Sequence, residues 1–348
     1  MKLTWKGRKV ILSVFFLLSF FIMLDSTVCS QNDTVIPYKF YSKKIVIYSD
    51  FGFNSAPFSM NYQFPNGVDK IKYRNNYKNL FGIGCSYKWF SLRLSFAIGQ
   101  NARPIDKYGK TNYGTLGFNF THKNTYWDFE LRNVAGYSIK NAYKWNDSLS
   151  EGHPNDIRSK TNSFAFSVNA WYFKNPYFKM QAVLGKTGHF LGEVKTWYFK
   201  NTLNLYGVAN GYNSLIPNEM TDNNNSKTSS TGYGALDFGV IPGYAYANRK
   251  NNWQVSGLLG LGPVIQVKSY NVNGVARTFL GLAPRYDVRF VAGYSKPSYF
   301  IFLVTDIDNK SIRFNNLVFR QSFYSLNLVG GIRLNSKKDR KEKDLISE

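Results

Sequence analysis

Cysteine and histidine are scarce in this chain of 348 residues, which has two cysteines and three histidines. If the N-terminal segment is removed, only Cys85 remains, and an exported chain with one cysteine has no intramolecular disulfide framework. No cysteines and histidines have the spacing of a metal site, and no phosphate-binding glycine loop or GxSxG nucleophile motif is present. We therefore expect no metal, no cofactor and no catalytic residue.

Long apolar runs are also missing after residue 30. No later stretch approaches the roughly 20 apolar residues that a membrane-spanning helix needs. No segment between the alternating stretches described below has helical periodicity of any length. These absences exclude membrane-spanning helices after residue 30.

The one long apolar run, residues 10–24, follows a basic N-terminus and precedes small residues. This order is typical of a secretory signal peptide, so we expect export and cleavage near Ser30. An uncleaved anchor helix is an alternative for which the run is short. Lipid attachment at Cys29 is a second alternative, which Ser26 and Val28 fit poorly.

Acidic residues are few, 21 against 44 lysines and arginines, and the net charge is +23. Without the signal segment 40 basic and 20 acidic residues remain, a charge of +20. Such an excess predicts an anionic partner. We expect outer-membrane lipid and lipopolysaccharide, with small solutes as further candidates and no nucleic acid. Scattered loop charges that aid solubility explain the excess equally well.

Aromatic residues are abundant, at 18% of the chain, and residues 79–99 show how they are arranged. Large apolar residues occupy odd positions from Phe81 to Trp89 and even positions from Phe90 to Ile98. A period of two is that of a β-strand, and the change of phase predicts a tight turn near residues 88–90. The bulky face would meet lipid in an outer-membrane barrel, or form the core of a soluble sandwich.

The same alternation recurs along the chain, in many places over 10 to 18 residues, which is long for globular strands. The pattern predicts an all-β fold, a transmembrane antiparallel up-and-down β-barrel of about twelve strands. The predicted strands lie near 43–62, 81–89, 90–98, 115–122, 127–133, 163–172, 178–185, 235–247, 253–267, 279–294, 299–307 and 317–334.

Short turns and longer loops alternate along this pattern if residues 187–231 form one long extracellular excursion. The predicted short turns lie near 89–90, 122–125, 174–176, 249–252 and 294–297, and the predicted longer loops lie near 64–78, 99–111, 138–160, 187–231, 269–276 and 308–316. Residues 194–207 would then be a ribbon above the barrel; as a spanning strand they would make the strand count odd. Short turns at the end that holds both termini are typical of periplasmic turns. The predicted organisation is a signal peptide (1–30), an N-terminal periplasmic segment (31–42), a barrel (43–335) and a charged disordered tail (336–348).

Charged residues of both signs alternate with outward apolar neighbours, and they should therefore face the interior of the barrel. We expect them to fill the lumen as ion pairs. An arginine-lined path for ions or anionic solutes and a catalytic carboxylate pair are the alternatives. The set is Arg93, Asp128, Glu130, Arg132, Asp237, Arg285, Asp287, Arg289 and Arg333. His189, predicted near a loop rim beside Glu193, is a further candidate for a lipid hydrolase site.

Residues 73–96 contain Gly-x-Gly-x-Ser-Tyr-Lys-Trp at 82–89, and NSLIP (213–217) and IPGYAYA (241–247) follow. These blocks resemble the Bacteroidetes domain-of-unknown-function family 4421, which comprises exported, outer-membrane β-barrel-like proteins. The resemblance covers roughly residues 40–335. The resemblance implies an outer-membrane location and a β-barrel-like fold, but no activity.

The expected function is a non-enzymatic structural, binding or transport role in the bacterial outer membrane. A small-solute channel with an arginine-rich lumen and a lipid- or lipopolysaccharide-modifying membrane enzyme are the alternatives. A soluble periplasmic β-protein is a third.

Overall fold

The computed structural model describes residues 36–335, so the predicted signal peptide and charged tail lie outside the described residues. No helix within that range is long and apolar enough to cross a bilayer. The elements are β1 (Tyr38–Phe40), β2 (Lys44–Ser55), β3 (Phe58–Asn61), β4 (Lys70–Arg74), β5 (Lys78–Tyr87), β6 (Phe90–Asn101), α1 (Ile105–Tyr108), β7 (Asn112–His122), β8 (Thr125–Ile139), β9 (Asp156–Phe173), α2 (Met180–Val183), β10 (Gly188–Phe190), β11 (Val194–Ala209), β12 (Gly232–Lys250), β13 (Trp253–Val272), β14 (Val275–Ser295), β15 (Tyr299–Arg313) and β16 (Val318–Asn335), with 3₁₀ turns at Pro65–Gly67, Ala142–Lys144 and Asn218–Met220.

Twelve of these strands form one closed antiparallel ring. The order is β2, β5, β6, β7, β8, β9, β11, β12, β13, β14, β15 and β16, so each strand pairs with its predecessor and successor in that series. β16 pairs with β2 from Asn335–Lys44 to Tyr324–Ser55, and this pairing closes the ring. The predicted twelve-stranded up-and-down barrel is confirmed.

Alternating side chains form the two faces of the wall. In β11, Phe199, Leu203 and Leu205 are exposed outward, while the alternate residues Lys200, Thr202 and Asn204 are buried. At the first predicted turn, Tyr87 pairs with Phe90 across a two-residue connection. The change of phase in the sequence is therefore confirmed as a hairpin turn.

The structure differs from the prediction in the middle of the chain. Residues 178–185, predicted as a strand, contain α2, and the predicted turn at 174–176 begins a longer segment. Residues 194–207, predicted as a ribbon in an excursion over 187–231, belong to β11, which pairs with β9 and β12. A short apolar run does not distinguish a strand from one buried helical turn. The two errors cancel, and the count stays at twelve.

The barrel has a short-turn end, where β2 begins and β16 ends, and a long-loop end opposite. Among the connections at the long-loop end, the one predicted at 269–276 is instead a two-residue turn, Asn273–Gly274. Both residues have positive φ, 53° and 79°, as the tight Asn-Gly hairpin turn requires. Conversely, the longest connection at the short-turn end is residues 174–193.

The β3–β4 hairpin is inserted at the long-loop end. β3 pairs with β16 beyond the point where β2 ends, and β4 pairs with β8 at Ser138 and Ile139. The hairpin thus joins β16 to β8 and bypasses β5, β6 and β7. This shortcut brings apolar side chains of the hairpin across the mouth of the barrel.

Two inward tyrosines pack where neighbouring strands have glycine. A Cβ atom at Gly84 would lie 2.2 Å from the Tyr48 ring, and one at Gly243 would lie 2.2 Å from the Tyr198 ring. A larger residue at either site would displace an interior side chain. These glycines allow the aromatic rings to lie flat against the inner wall.

Candidate binding chamber inside the barrel

A cavity of about 160 Å³ lies inside the barrel. No residue of the β3–β4 hairpin or of the segment 210–231 lines this cavity. Leu184 and Lys186 line it on the short-turn side. Seven of the nine predicted lumen residues line it: Arg93, Asp128, Glu130, Arg132, Arg285, Asp287 and Arg289. We call this cavity the chamber.

The other two predicted lumen residues lie elsewhere in the interior. Asp237 is fully buried behind Arg285, to which it is ion-paired. Arg333 is buried at the short-turn end, where it holds loop carbonyls and no carboxylate.

Charges around the chamber are paired across and along the wall. Arg93 binds Asp50 with Nε 2.9 Å from Oδ2, and Lys200 Nζ lies 2.8 Å from Asp287 Oδ1. The remaining pairs are Arg132–Glu130, Arg285–Asp237, Arg289–Asp306 and Lys310–Asp308. With Lys186 and Asp128, seven cationic and seven anionic side chains surround the chamber.

Six members of this set are absent from the predicted lumen residues: Asp50, Lys186, Lys200, Asp306, Asp308 and Lys310. Lys200 belongs to the segment predicted as a ribbon. Asp308 and Lys310 lie beyond the predicted end of their strand at residue 307. Asp50 and Asp306 each have an apolar neighbour on one side only, Phe51 and Ile307, but they keep the period of two of their strands, which could have identified them.

Arg285 is one of the two most enclosed cations of the chamber, with Lys310, and its side chain is 1% exposed. Its Nε lies 2.7 Å from Asp237 Oδ2, and its Nη2 donates to the Tyr206 hydroxyl at 2.6 Å. Gln266 donates to the second oxygen of Asp237 at 2.9 Å. The buried pair is therefore fully hydrogen-bonded, which is the condition for a stable buried charge.

Residues 174–193 and β1 fold into the short-turn end, and we call them the short-turn plug. Phe178, Met180, Val183 and Phe190 are buried there against inward wall residues. β1 pairs with β10, so part of the predicted periplasmic segment is an ordered component of this plug.

Two polar side chains fix the short-turn plug to the wall. Arg333 donates to the Lys186 carbonyl at 2.7 Å and to the Ser295 hydroxyl at 3.0 Å. Gln254 donates to the Ala182 carbonyl at 2.8 Å and accepts from the Phe190 amide at 3.2 Å. These bonds satisfy loop backbone groups that would otherwise be buried without partners.

His189 is buried in the short-turn plug and not at a loop rim, contrary to the prediction. Its Nδ1 lies 2.9 Å from the Tyr41 hydroxyl. Burial, together with the positive charges of Arg249, Arg333 and Lys39, lowers the pKa of His189 to about 4. No serine or carboxylate is among its hydrogen-bond partners in the described chain, so the geometry of a hydrolase triad is not present there.

The low pKa of His189 predicts an acid-sensitive plug. The unfolded histidine binds a proton near pH 6.5, while the folded one does so near pH 4, so stability is lost as pH falls between these values. We expect a loss on the order of 1–2 kcal/mol in the free energy of unfolding. Urea unfolding in detergent at pH 7 and pH 4.5 measures it. In His189→Gln the free energy of unfolding should differ less between pH 7 and pH 4.5 than in the wild type. If it differs as much, other groups cause the pH dependence.

The β3–β4 hairpin and residues 210–231 form the second closure, the long-loop plug. Phe58 stacks on Tyr73 with ring centroids 4.2 Å apart, and both are buried. Leu215, Ile216 and Met220 join them in one apolar cluster with inward aromatic residues of the wall. Apolar packing therefore fills the barrel on both sides of the polar chamber.

Within residues 36–335, no three histidine, cysteine, aspartate or glutamate side chains are grouped as metal ligands. The chamber offers ion-paired polar groups in a confined space. Such an arrangement can hold water or one small polar group.

Residues 33–333 match the family described as "Domain of unknown function (DUF4421)". No curated protein matches the chain. Among solved structures, the translocator domain of the autotransporter NalP from Neisseria meningitidis is similar at 9% identity and a TM-score of 0.39, with 92% of this chain and 97% of that chain covered. An outer-membrane channel from Pseudomonas putida F1 is similar at 11% identity and a TM-score of 0.33, covering 86% and 99%. At these values the similarities carry no functional assignment, and the barrel fold rests on the strand pairing.

Proposed function

The chain belongs to the family described as "Domain of unknown function (DUF4421)", and we propose that it is a non-enzymatic outer-membrane β-barrel with a binding or structural role. We further propose that it is not an open channel. The observation that carries this proposal is the closure of the barrel by apolar plugs on both sides of the chamber.

The outer face of the barrel supports the membrane location. Apolar side chains that point outward are largely exposed, as Phe238 (61%) and Leu261 illustrate. Exposed aromatic residues such as Trp89 and Trp253 gather at the short-turn end, as in the aromatic girdles of outer-membrane barrels. A soluble protein would expose this much apolar surface at the cost of aggregation.

The charges support a closed lumen rather than an anion path. Each arginine that lines the chamber has a carboxylate partner, and the chamber set is balanced. The excess of positive charge must therefore lie outside the chamber. Contact of these outer charges with lipid phosphate or lipopolysaccharide is part of the proposal.

Planar-bilayer recording tests the proposal. Protein extracted from the outer-membrane fraction should migrate as a compact band that shifts only after boiling, which reports a closed barrel. The same preparation should show no stepwise conductance, whereas a water-filled porin in the same bilayer provides the positive control. Large, steady conductance would contradict the closed lumen, and recovery in the soluble fraction would contradict the membrane location.

The enzyme alternative loses its one candidate residue. His189 is buried in the short-turn plug, and its low pKa suits a neutral structural histidine better than a base near neutral pH. The proposal therefore assigns no catalytic role to the chain.

A further inference from the structure

The barrel wall is split between β14 and β15. These strands pair from Ser295–Phe300 only as far as Asp287–Asp308. Beyond that point β14 continues against β13 for twelve residues, and β15 continues against β16 for five. Residues 275–286 of β14 thus have no strand partner on the β15 side, and we call this opening the wall split.

Side chains, and not a strand ladder, satisfy the backbone along the wall split. The Tyr286 amide donates to Asn309 Oδ1 at 3.2 Å, and Gln266 donates to the Ser311 carbonyl at 2.9 Å. Pro284 has no amide hydrogen to donate, and its carbonyl accepts from the Arg285 side chain at 2.9 Å. The separation of the strands is therefore built into the sequence.

The lining of the chamber reaches the edge of the wall split. It includes Tyr286, Val288 and Ile307, whose positions in the strands point outward, together with inward Arg285 and Asp308. Along the split, Leu280 and Leu282 of β14 are 74% and 73% exposed on the outer face. An apolar surface outside thus leads directly to a polar interior.

We propose that the wall split is a side entrance through which the head group of a single-chain amphiphile reaches the chamber from the lipid phase. A cavity of about 160 Å³ holds roughly one benzene-sized group. The chamber therefore accommodates the head group, while the alkyl chain lies outside against Leu280 and Leu282.

The accessible charges of the chamber favour an ammonium head group. The side chains of Asp306 and Asp308 are 36% and 39% exposed, whereas their partners Arg289 and Lys310 are 17% and 1% exposed. The Nζ atom of Lys310 lies 3.7 Å from Asp308 Oδ2, and this is the longest distance among the ion pairs around the chamber. An entering cation would therefore meet carboxylates before it met their buried partners.

Photo-labelling of the whole protein in lipid vesicles tests this inference. The probes are an alkylammonium and an alkylcarboxylate of equal chain length, each with the photoreactive group next to the head. We expect the ammonium probe to label residues of the chamber wall such as Asp308, and the carboxylate probe to label them less. Labelling confined to outward residues for both probes would overturn the side entrance.

A reversible bridge provides the matched comparison. Tyr286→Cys and Asn309→Cys, in a Cys85→Ser background, place thiols at the first unpaired position of the wall split, where oxidation to a disulfide or a short bis-methanethiosulfonate cross-linker joins them. Bridging should lower chamber labelling by about tenfold. The control pair Ala292→Cys and Leu303→Cys bridges the same strands where they already pair, and it should change nothing.

Equal chamber labelling in the bridged and reduced forms would overturn the inference. The inference rests on the proposed membrane location but not on the absence of conductance. A conducting barrel whose chamber labelling is blocked by the bridge would contradict the closed lumen alone. A barrel without conductance whose chamber labelling is the same with and without the bridge would contradict the side entrance alone.

Discussion

Replacing Arg285 with leucine is expected to lower the free energy of unfolding by about 3–5 kcal/mol. The substitution leaves the Asp237 carboxylate fully buried with Gln266 as its remaining partner. It also removes one of the two donors to the Tyr206 hydroxyl, the other being Gln266. A buried charge without its counter-charge is costly because the low-dielectric interior does not replace water.

Two variants separate the stranded charge from a general loss of packing. Arg285→Leu with Asp237→Leu removes both charges and should recover most of the lost stability. Arg132→Leu breaks a pair whose Glu130 side chain remains 30% exposed, and it should cost only about 1 kcal/mol. Unfolding is followed by the loss of the compact gel band in urea. Equal midpoints for Arg285→Leu and wild type would show that this pair does not stabilise the barrel.

The barrel itself could be predicted because the pattern that specifies each strand lies within that strand. Each strand that separates lipid from interior must alternate, and this period of two is visible without knowledge of any neighbour. The turn after Tyr87 was visible for the same reason, since a two-residue connection reverses the phase. Residues 194–207 alternate in the same way, but the expectation that short turns and longer loops follow each other in strict alternation assigned these residues to the extracellular excursion.

The ion pairs could be predicted only as a set of inward charges. Asp237 and Arg285 lie on β12 and β14, and Lys200 and Asp287 lie on β11 and β14. Partners two or three strands apart meet only after the sheet has closed and its registers are fixed. The plugs were missed for a related reason, because their apolar residues have the composition of strands and acquire their role from the barrel around them.

Removal of both plugs should convert a barrel without ion conductance into a conducting one. The short-turn plug can be shortened by replacing residues 176–195 with Asn-Gly, so that a two-residue turn joins Asn175 to Thr196 and keeps the register in which Phe173 pairs with Tyr198. The long-loop plug can be removed by replacing residues 57–76 and 211–230 with Gly-Ser linkers. Either change alone leaves the other apolar cluster in place.

We therefore expect no conductance from either single-plug variant and stepwise conductance from the combined variant, in planar bilayers. Because the chamber charges are balanced, the open form should select weakly between cations and anions. Heat-modifiable mobility shows in each case that the barrel is closed. Conductance in a single-plug variant would mean that the remaining cluster is not a barrier. A folded combined variant without conductance would place the barrier in the ion-paired layer around the chamber, to which Arg93, Lys200 and their partners belong.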